Sequence, residues 1–180
     1  MSTRKSKQGL VLVVIDLNVA VSSALGGPAA APAIVIRLMI EGRLVNFASN
    51  QMLERLEAKL SSRRIQRYLT NKSSGQTGEL LRYKPYAIMA AFEKKSVIID
   101  PEIWVDASDD EEDNEVLSVA CDAGAEYVIT QDQADLISLR DPVTKEVIIE
   151  DENGNEVCRI KILTPREFLE ELKEKKGWVI

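Results

Sequence analysis

The hydrophobic positions along the chain follow two different periods. Short continuous apolar runs, of which residues 10–15 are the clearest, are typical of strands buried on both faces. Longer segments with an apolar residue every three or four positions are typical of amphipathic helices. We therefore predict strands at residues 10–15, 44–48, 97–99, 125–130, 143–150 and 156–163, and helices at residues 31–41, 50–60, 61–68, 78–95, 113–123, 133–138 and 164–175. Residues 19–33 are also apolar, but glycine and proline interrupt them, so we predict a loop that leads into the first helix.

Three local signals support these boundaries. Ser49 precedes a helical pattern and is a typical N-cap residue. Thr164, with Pro165 at the first helical position and Glu167 at the third, has the spacing of a capping box. Asn153-Gly154 lies between two alternating segments and predicts a β-hairpin turn.

The alternation of strands with helices predicts an α/β fold with a mostly parallel central sheet. We expect a single domain over residues 10–180, a flexible N-terminal tail over residues 1–9, and a C-terminal β-hairpin insertion at about residues 143–163. Ligands of such sheets bind at the carboxyl ends of the strands. Polar residues at those ends are therefore the first candidates for a functional site.

The chain of 180 residues contains no histidine. This excludes Ser-His-Asp and Cys-His catalysis and the zinc sites that need histidine, and it leaves proton transfer to carboxylates, Lys, Tyr or metal-bound water.

The two cysteines, Cys121 and Cys158, fit no metal-binding spacing, and we expect them to be reduced packing residues. No apolar segment has the length of a membrane span or a signal peptide, so we expect a cytoplasmic protein.

Acidic residues directly follow two of the predicted strands. Asp16 comes after residues 10–15, and Asp132 comes two residues after Thr130. Together with Asp113, at the start of a predicted helix, they would supply the oxygen ligands that Mg²⁺ prefers. Simpler roles remain open, since Asp16 could cap the next helix and Asp113 could interact only with a helix dipole. Asp135 would lie near Asp132 on a helix face, or at the surface.

The net charge of −6 argues against nonspecific coating of nucleic acid, but the charges are unevenly distributed. Eight basic and two acidic residues lie between residues 61 and 95, whereas nine acidic residues and no basic one lie between residues 100 and 115. This separation suggests an anion-facing surface and a cation site. Solvated loops and helix faces are the alternative explanation.

Four segments resemble, in order, the motifs of PIN domains. Residues 14–19 (Val-Ile-Asp-Leu-Asn-Val) resemble the opening motif, a hydrophobic strand followed by Asp-x-Asn. Residues 113–120 resemble the third motif, residues 125–136 the fourth, and residues 162–169 the closing strand and helix. The order and spacing match over nearly the whole chain. The resemblance is closest to the VapC-like subgroup, the toxin components of toxin–antitoxin pairs.

The resemblance implies a PIN-like three-layer α/β/α fold and a metal-dependent endoribonuclease that uses Mg²⁺ or Mn²⁺. Asp16, Asp113 and Asp132 match the metal-binding acids of the family. Asn18 matches the Asn of the first motif and Thr130 a polar residue near the site, with Asp135 as further support.

The second acid of the family is a glutamate on the helix after the second strand. We choose Glu54 for this role and keep Glu57 as the alternative. Many relatives would place this acid one residue later, where this chain has Arg55. If neither glutamate faces the site, one ligand is missing.

The partners that the resemblance implies are an RNA substrate, an antitoxin protein and a second copy of the chain, without a membrane. Arg63, Arg64 and Arg67 are candidates for contacts with RNA phosphates, on the basis of charge alone.

Two other functions compete with this interpretation. Haloacid-dehalogenase phosphatases also open with a strand followed by Asp, but their chemistry needs Asp-x-Asp, and this chain has Asn18 at the third position. The stronger alternative is a catalytically weak or inactive PIN-fold module that binds RNA or protein through an incomplete metal site.

Overall fold

The computed structural model describes residues 9–72 and 76–180. The predicted tail, apart from Gly9, lies outside the described residues. The strands are β1 (Val11–Ile15), β2 (Leu44–Ala48), β3 (Ser96–Ile98), β4 (Tyr127–Ile129), β5 (Glu146–Glu150) and β6 (Glu156–Leu163). The helices are α1 (Leu17–Leu25), α2 (Ala31–Ile40), α3 (Asn50–Ser61), α4 (Arg63–Lys72), α5 (Gln76–Lys95), α6 (Glu111–Asp122), α7 (Leu136–Leu139) and α8 (Pro165–Lys176).

The six strands form one sheet in the order β3-β2-β1-β4-β6-β5. All neighbouring pairs are parallel except β5 and β6, which pair antiparallel as the predicted hairpin. Helices cover the sheet in a three-layer α/β/α arrangement, so the predicted fold class is confirmed. β6 has two roles, because residues 156–161 pair with β5 in the hairpin and residues 161–163 pair with β4.

β1 lies at the centre of the sheet, and four of its five residues are buried, as its continuous apolar sequence predicted. The fully buried Asn46 joins three strands through its side chain. Its Oδ1 accepts a hydrogen bond from the backbone N–H of Ile15 at 2.8 Å, and its Nδ2 donates to Ser96 Oγ at 2.9 Å. These bonds satisfy a polar group that would otherwise be costly to bury, and they hold the end of β1 next to β2.

The prediction of a loop over residues 19–33 was wrong for its first part. Residues 17–25 form α1, whose buried side chains include Val19, Ala20 and Ala24. Alanine is the best helix former, and the glycine and proline residues act only after the helix, which ends at Gly26. α2 begins at Ala31, as predicted.

The predicted helix caps are confirmed. Ser49 Oγ accepts a hydrogen bond from Met52 N at 3.0 Å and caps α3. Thr164 and Glu167 form a complete capping box at the start of α8. The start of α6 differs from the prediction, because Asp110 caps the helix and Asp113 therefore lies at its third position rather than its first.

Among the described residues, no helix is long and apolar enough to cross a membrane.

The expectation of two reduced cysteines was wrong. Cys121 on α6 and Cys158 on β6 form a disulfide, with their Cα atoms 5.5 Å apart. This distance is normal for a disulfide, and it arises because α6 packs against β6. The separation of 37 residues along the chain carried no sign of this proximity.

We expect this disulfide to stabilise the fold by about 3–4 kcal/mol, since it closes a loop of 37 residues in the unfolded chain. A reducing agent should therefore lower the midpoint of urea unfolding of the wild type. The double variant Cys121→Ser/Cys158→Ser should begin at the lower midpoint and not respond to the reducing agent. Two titratable thiols in the unreduced wild type, with no effect of reduction, would contradict the expectation.

Candidate active site

Thr130, at the end of β4, connects the opening motif to the fourth motif. Its buried Oγ1 donates a 2.6 Å hydrogen bond to Asp16 Oδ2, and accepts hydrogen bonds from Asn18 Nδ2 at 3.2 Å and Asp132 N at 2.9 Å. Asn18 Oδ1 in turn accepts from Gln131 N at 3.1 Å. The parallel pairing of Ile15 with Ile129 makes this network possible, because it puts both strand ends at the same edge.

Asp16 occupies the N-cap position of α1, but its side chain makes no capping hydrogen bond. The carboxylate is instead bonded to Thr130. Burial raises the pKa of Asp16, and the hydrogen bond from Thr130 opposes this rise. The geometry therefore does not support the alternative in which Asp16 only caps the next helix.

Asp132 and Asp135 lie in a tight turn between β4 and α7. Asp132 Oδ1 accepts hydrogen bonds from Ala134 N and Asp135 N, both at 3.0 Å. This type of turn is common for aspartate, and here it fixes the Asp132 carboxylate and the backbone of Asp135 near the end of β4.

Asp113 reaches the same place from α6. The helix starts after a loop that the Asn114 side chain fixes: its Oδ1 accepts from Ala107 N at 2.9 Å and Ser108 N at 2.8 Å, and its Nδ2 donates to Ser108 O at 2.7 Å. The sequence did not predict a separate role for Asn114. It holds the start of α6, and with it Asp113, against the sheet edge.

Carboxylate oxygens of Asp113, Asp132 and Asp135 lie within 4.8 Å of one another. Asp16 lines the same cleft, which has a volume of about 180 Å³ and which we call the acidic cleft. Its described lining residues are Asp16, Leu17, Asn18, Met52, Arg55, Lys59, Asp110, Glu112, Asp113, Val116 and Asp132. The structure thus brings together the three acids predicted from the strand ends and the third motif, and it adds Asp135.

The surroundings of Asp113 in the cleft shift its pKa. Burial, followed by the negative charges of Asp16, Asp110, Asp132 and Asp135, raises the pKa of Asp113 to about 7. Like charges held this close favour the neutral form unless a cation is bound. A group of three carboxylates, one of them buried, therefore fits a hard divalent cation such as Mg²⁺ or Mn²⁺.

The structure does not place either candidate for the second acid at the cleft. Met52, Arg55 and Lys59 share the face of α3 that lines it, because they are three and four residues apart. Glu54 and Glu57 are exposed on α3, and neither lines the acidic cleft; Glu57 lies by α5, near Pro85 and Tyr86. Glu54 therefore does not lie on the face of α3 that lines the cleft, where the second acid was predicted.

Basic residues stand where an acid from α3 was expected. Arg55 forms an ion pair with Glu115, which is buried on α6 and also accepts a hydrogen bond from Ser49 Oγ. Lys59 Nζ pairs with Glu112 at 2.7 Å. The sequence did not predict a role for Glu112, Glu115 or Lys59. The spacing of Met52, Arg55 and Lys59, three and four residues apart, was the sign in the sequence that Arg55 and Lys59 share one face of α3.

The three arginines on α4 do not line the same surface depression. All three are exposed, but only Arg64 lines a depression next to the acidic cleft, whereas Arg63 and Arg67 do not.

The model of the PIN domain family matches residues 12–134. The chain belongs to the PIN domain family. It is similar to the uncharacterized protein MJ1680 of Methanocaldococcus jannaschii, with 35% identity over 164 residues, which are 91% of this chain and 93% of that protein. No solved structure matches the chain. PIN domains are generally nucleases, so this PIN domain has a nuclease-type fold, and its acidic cleft lies where the family's motifs meet.

The raised pKa of Asp113 predicts a destabilising charge in the metal-free PIN domain. As the pH rises from about 4, the ordinary value of an aspartate, to about 7, the unfolded state loses this proton before the folded state does, so stability falls. In EDTA at about pH 8, Asp113→Asn should therefore be more stable than the wild type. We expect about 1 kcal/mol after allowance for solvent screening, or roughly 2–4 °C in Tm.

The matched control is Asp109→Asn, since Asp109 is exposed in the same acidic segment and does not line the cleft. Adding Mn²⁺ should raise the Tm of the wild type and of the control, because a ligand that binds only the folded state stabilises it. The increase should be smaller for Asp113→Asn. Equal behaviour of both variants, with and without Mn²⁺, would refute the role of Asp113.

Proposed function

We propose that this PIN domain is a Mg²⁺- or Mn²⁺-dependent endoribonuclease that hydrolyses phosphodiester bonds of RNA in the acidic cleft. The observation that carries the proposal is the approach of Asp113, Asp132 and Asp135 to within 4.8 Å of one another, beside the buried Asp16. Their chemistry suits a hard cation, and the family is generally one of nucleases.

Asp113, Asp132 and Asp135 would hold the ion, and Asp16 would complete the site from the end of β1. A bound ion would lower the pKa of a water molecule and neutralise charge at the scissile phosphate. Thr130 keeps Asp16 in place through its 2.6 Å hydrogen bond, and Asn18 keeps Thr130 and residue 131 in register. Such supporting bonds matter because an ion's ligands need a fixed direction.

The second candidate is a PIN domain that binds RNA or a protein and cleaves slowly or not at all. The observation that favours it is the position of Arg55, which faces the cleft where the family has an acid. Beside Asp113 and Asp132, however, Asp135 provides a carboxylate that does not depend on α3. We therefore place this candidate second.

The assignment to the VapC-like toxins of toxin–antitoxin pairs rests on the motif resemblance alone. An antitoxin as partner, a homodimer and a cytoplasmic location belong to the same proposal. A single-domain organisation over residues 10–180 also remains a prediction.

The first test is cleavage of a panel of single-stranded RNAs in the presence of Mg²⁺ or Mn²⁺. We expect the wild type to cleave, and Asp16→Asn and Asp132→Asn to lose at least about 100-fold in rate, since each removes a carboxylate from the metal site. Asp109→Asn, purified in the same way, is the control for a change of charge outside the cleft, and the loss of cleavage in Asp16→Asn excludes a contaminating ribonuclease. Glu54→Gln should stay within about twofold of the wild type, because Glu54 is exposed and does not line the cleft.

The two candidate functions give different results in this assay. Metal-dependent cleavage that survives in Asp109→Asn and disappears in Asp16→Asn supports the nuclease. If the wild type binds RNA but does not cleave it with either ion, the binding module is the better description.

A further inference from the structure

A groove lies directly beside the acidic cleft, between α1, α3 and the start of α4. Its volume is about 590 Å³, which is within the usual range for small-ligand sites. The described lining residues are Asn18, Val21, Ser22, Leu25, Ala58, Lys59, Ser62, Arg64 and Ile65. Asn18 and Lys59 also line the acidic cleft, so the two depressions share a wall.

The groove and the cleft have opposite electrostatic character. Two cations, Lys59 and Arg64, line the groove, and none of its described lining residues is acidic. This contrasts with the carboxylates that line the neighbouring cleft. An anionic ligand that reaches the cleft would therefore find favourable charge on this side of it.

The groove also has an apolar side and polar groups. Val21, Leu25 and the buried Ile65 provide aliphatic surface, and Ser22 and Ser62 provide hydroxyl groups. This combination of cations, aliphatic surface and small hydroxyls suits a nucleotide, which has an anionic phosphate, a flat apolar base face and polar base edges.

The two cations differ in their surroundings. Lys59 is nearly half exposed and pairs with Glu112 of the cleft at 2.7 Å, so it lies at the boundary between the two depressions. Arg64 is exposed and forms no ion pair within the part of the chain that the structure describes. Its guanidinium group therefore needs no rearrangement before it contacts a phosphate.

From this arrangement we infer that the groove binds one unpaired nucleotide of the RNA next to the scissile phosphate. The inference rests on the proposed function, because the acidic cleft defines where the scissile phosphate lies. The base would pack on Val21, Leu25 and Ile65, and Arg64 and Lys59 would contact the backbone phosphates. Single-stranded RNA is required, since a base within a duplex is stacked and cannot enter. No aromatic residue is among the described lining residues, so the base packs on aliphatic side chains and its identity matters little.

Arg63 offers a matched control for Arg64. Both are exposed arginines at the start of α4, one residue apart, and only Arg64 lines the groove. A contact with a phosphate should distinguish them, whereas the general field of the protein should affect both equally.

The test is the affinity of a labelled single-stranded RNA of about six nucleotides, measured by fluorescence anisotropy at several salt concentrations. The protein carries Asp16→Asn and the buffer contains Mg²⁺, so that binding is measured without cleavage. Arg64→Gln should raise Kd about fivefold and reduce the slope of log Kd against log salt by about 0.7, the value for one lost contact with a single strand. Arg63→Gln should leave Kd within about twofold and the slope unchanged.

A second variant tests the apolar part of the groove without removing a charge. Ala58 is exposed on α3, so Ala58→Trp fills the groove while the core stays unchanged. It should weaken RNA binding with an unchanged salt slope, and thermal unfolding should show that the fold is intact.

These outcomes are separate from those of the proposed function. If Arg64→Gln and Arg63→Gln have equal effects, or if a folded Ala58→Trp binds RNA as tightly as its parent, the nucleotide site is refuted even where the wild type cleaves RNA. If the groove variants weaken binding as expected but the wild type does not cleave, the nucleotide site stands and the nuclease proposal fails.

Discussion

The candidate active site depends on the parallel pairing of β1 with β4. This pairing puts Asp16 and Thr130 at the same edge of the sheet, where the Thr130 hydroxyl donates to the buried Asp16 carboxylate at 2.6 Å. A buried carboxylate without such a donor would be costly. The same hydroxyl accepts hydrogen bonds from Asn18 and Asp132 N, so one side chain sets the relative position of the two motifs. Thr130 thereby also positions the start of α1 and the turn before α7.

Two basic residues of α3, Arg55 and Lys59, also line the acidic cleft, and each pairs with an acid of α6. Glu115 is buried on α6 and would be an uncompensated charge without Arg55, which pairs with it. Removing one partner of a buried pair is strongly destabilising, often by about 3–5 kcal/mol. Lys59 forms a more exposed pair with Glu112. The two pairs hold α3 against the first turns of α6, and both basic residues lie on the face of α3 that lines the cleft.

The uneven distribution of charge along the chain corresponds in the structure to two adjacent depressions that differ in charge. Acids from β1, α6 and the turn after β4 gather in one depression, while Lys59 and Arg64 line the next one. In the proposed complex, a metal ion in the acidic cleft would contact one phosphate of the RNA, and Lys59 and Arg64 would contact neighbouring phosphates. Arg63 and Arg67 belong to the same basic segment but not to the groove, because a helix presents successive residues to different sides.

The sequence by itself determined the α/β class, the strands that precede Asp16 and Asp132, the hairpin at Asn153-Gly154 and the cap of α8, since each depends on neighbours along the chain. It also indicated the three acids, through a pattern that strand ends share in parallel sheets. Only the tertiary structure decided which face of α3 meets the cleft, and hence that Arg55 rather than Glu54 lies there. It alone joined Cys121 to Cys158, and it brought Asp135, predicted only as a supporting residue, within 4.8 Å of Asp113 and Asp132. Those results depend on how helices pack against the sheet, and residues far apart in sequence carry no local sign of that contact.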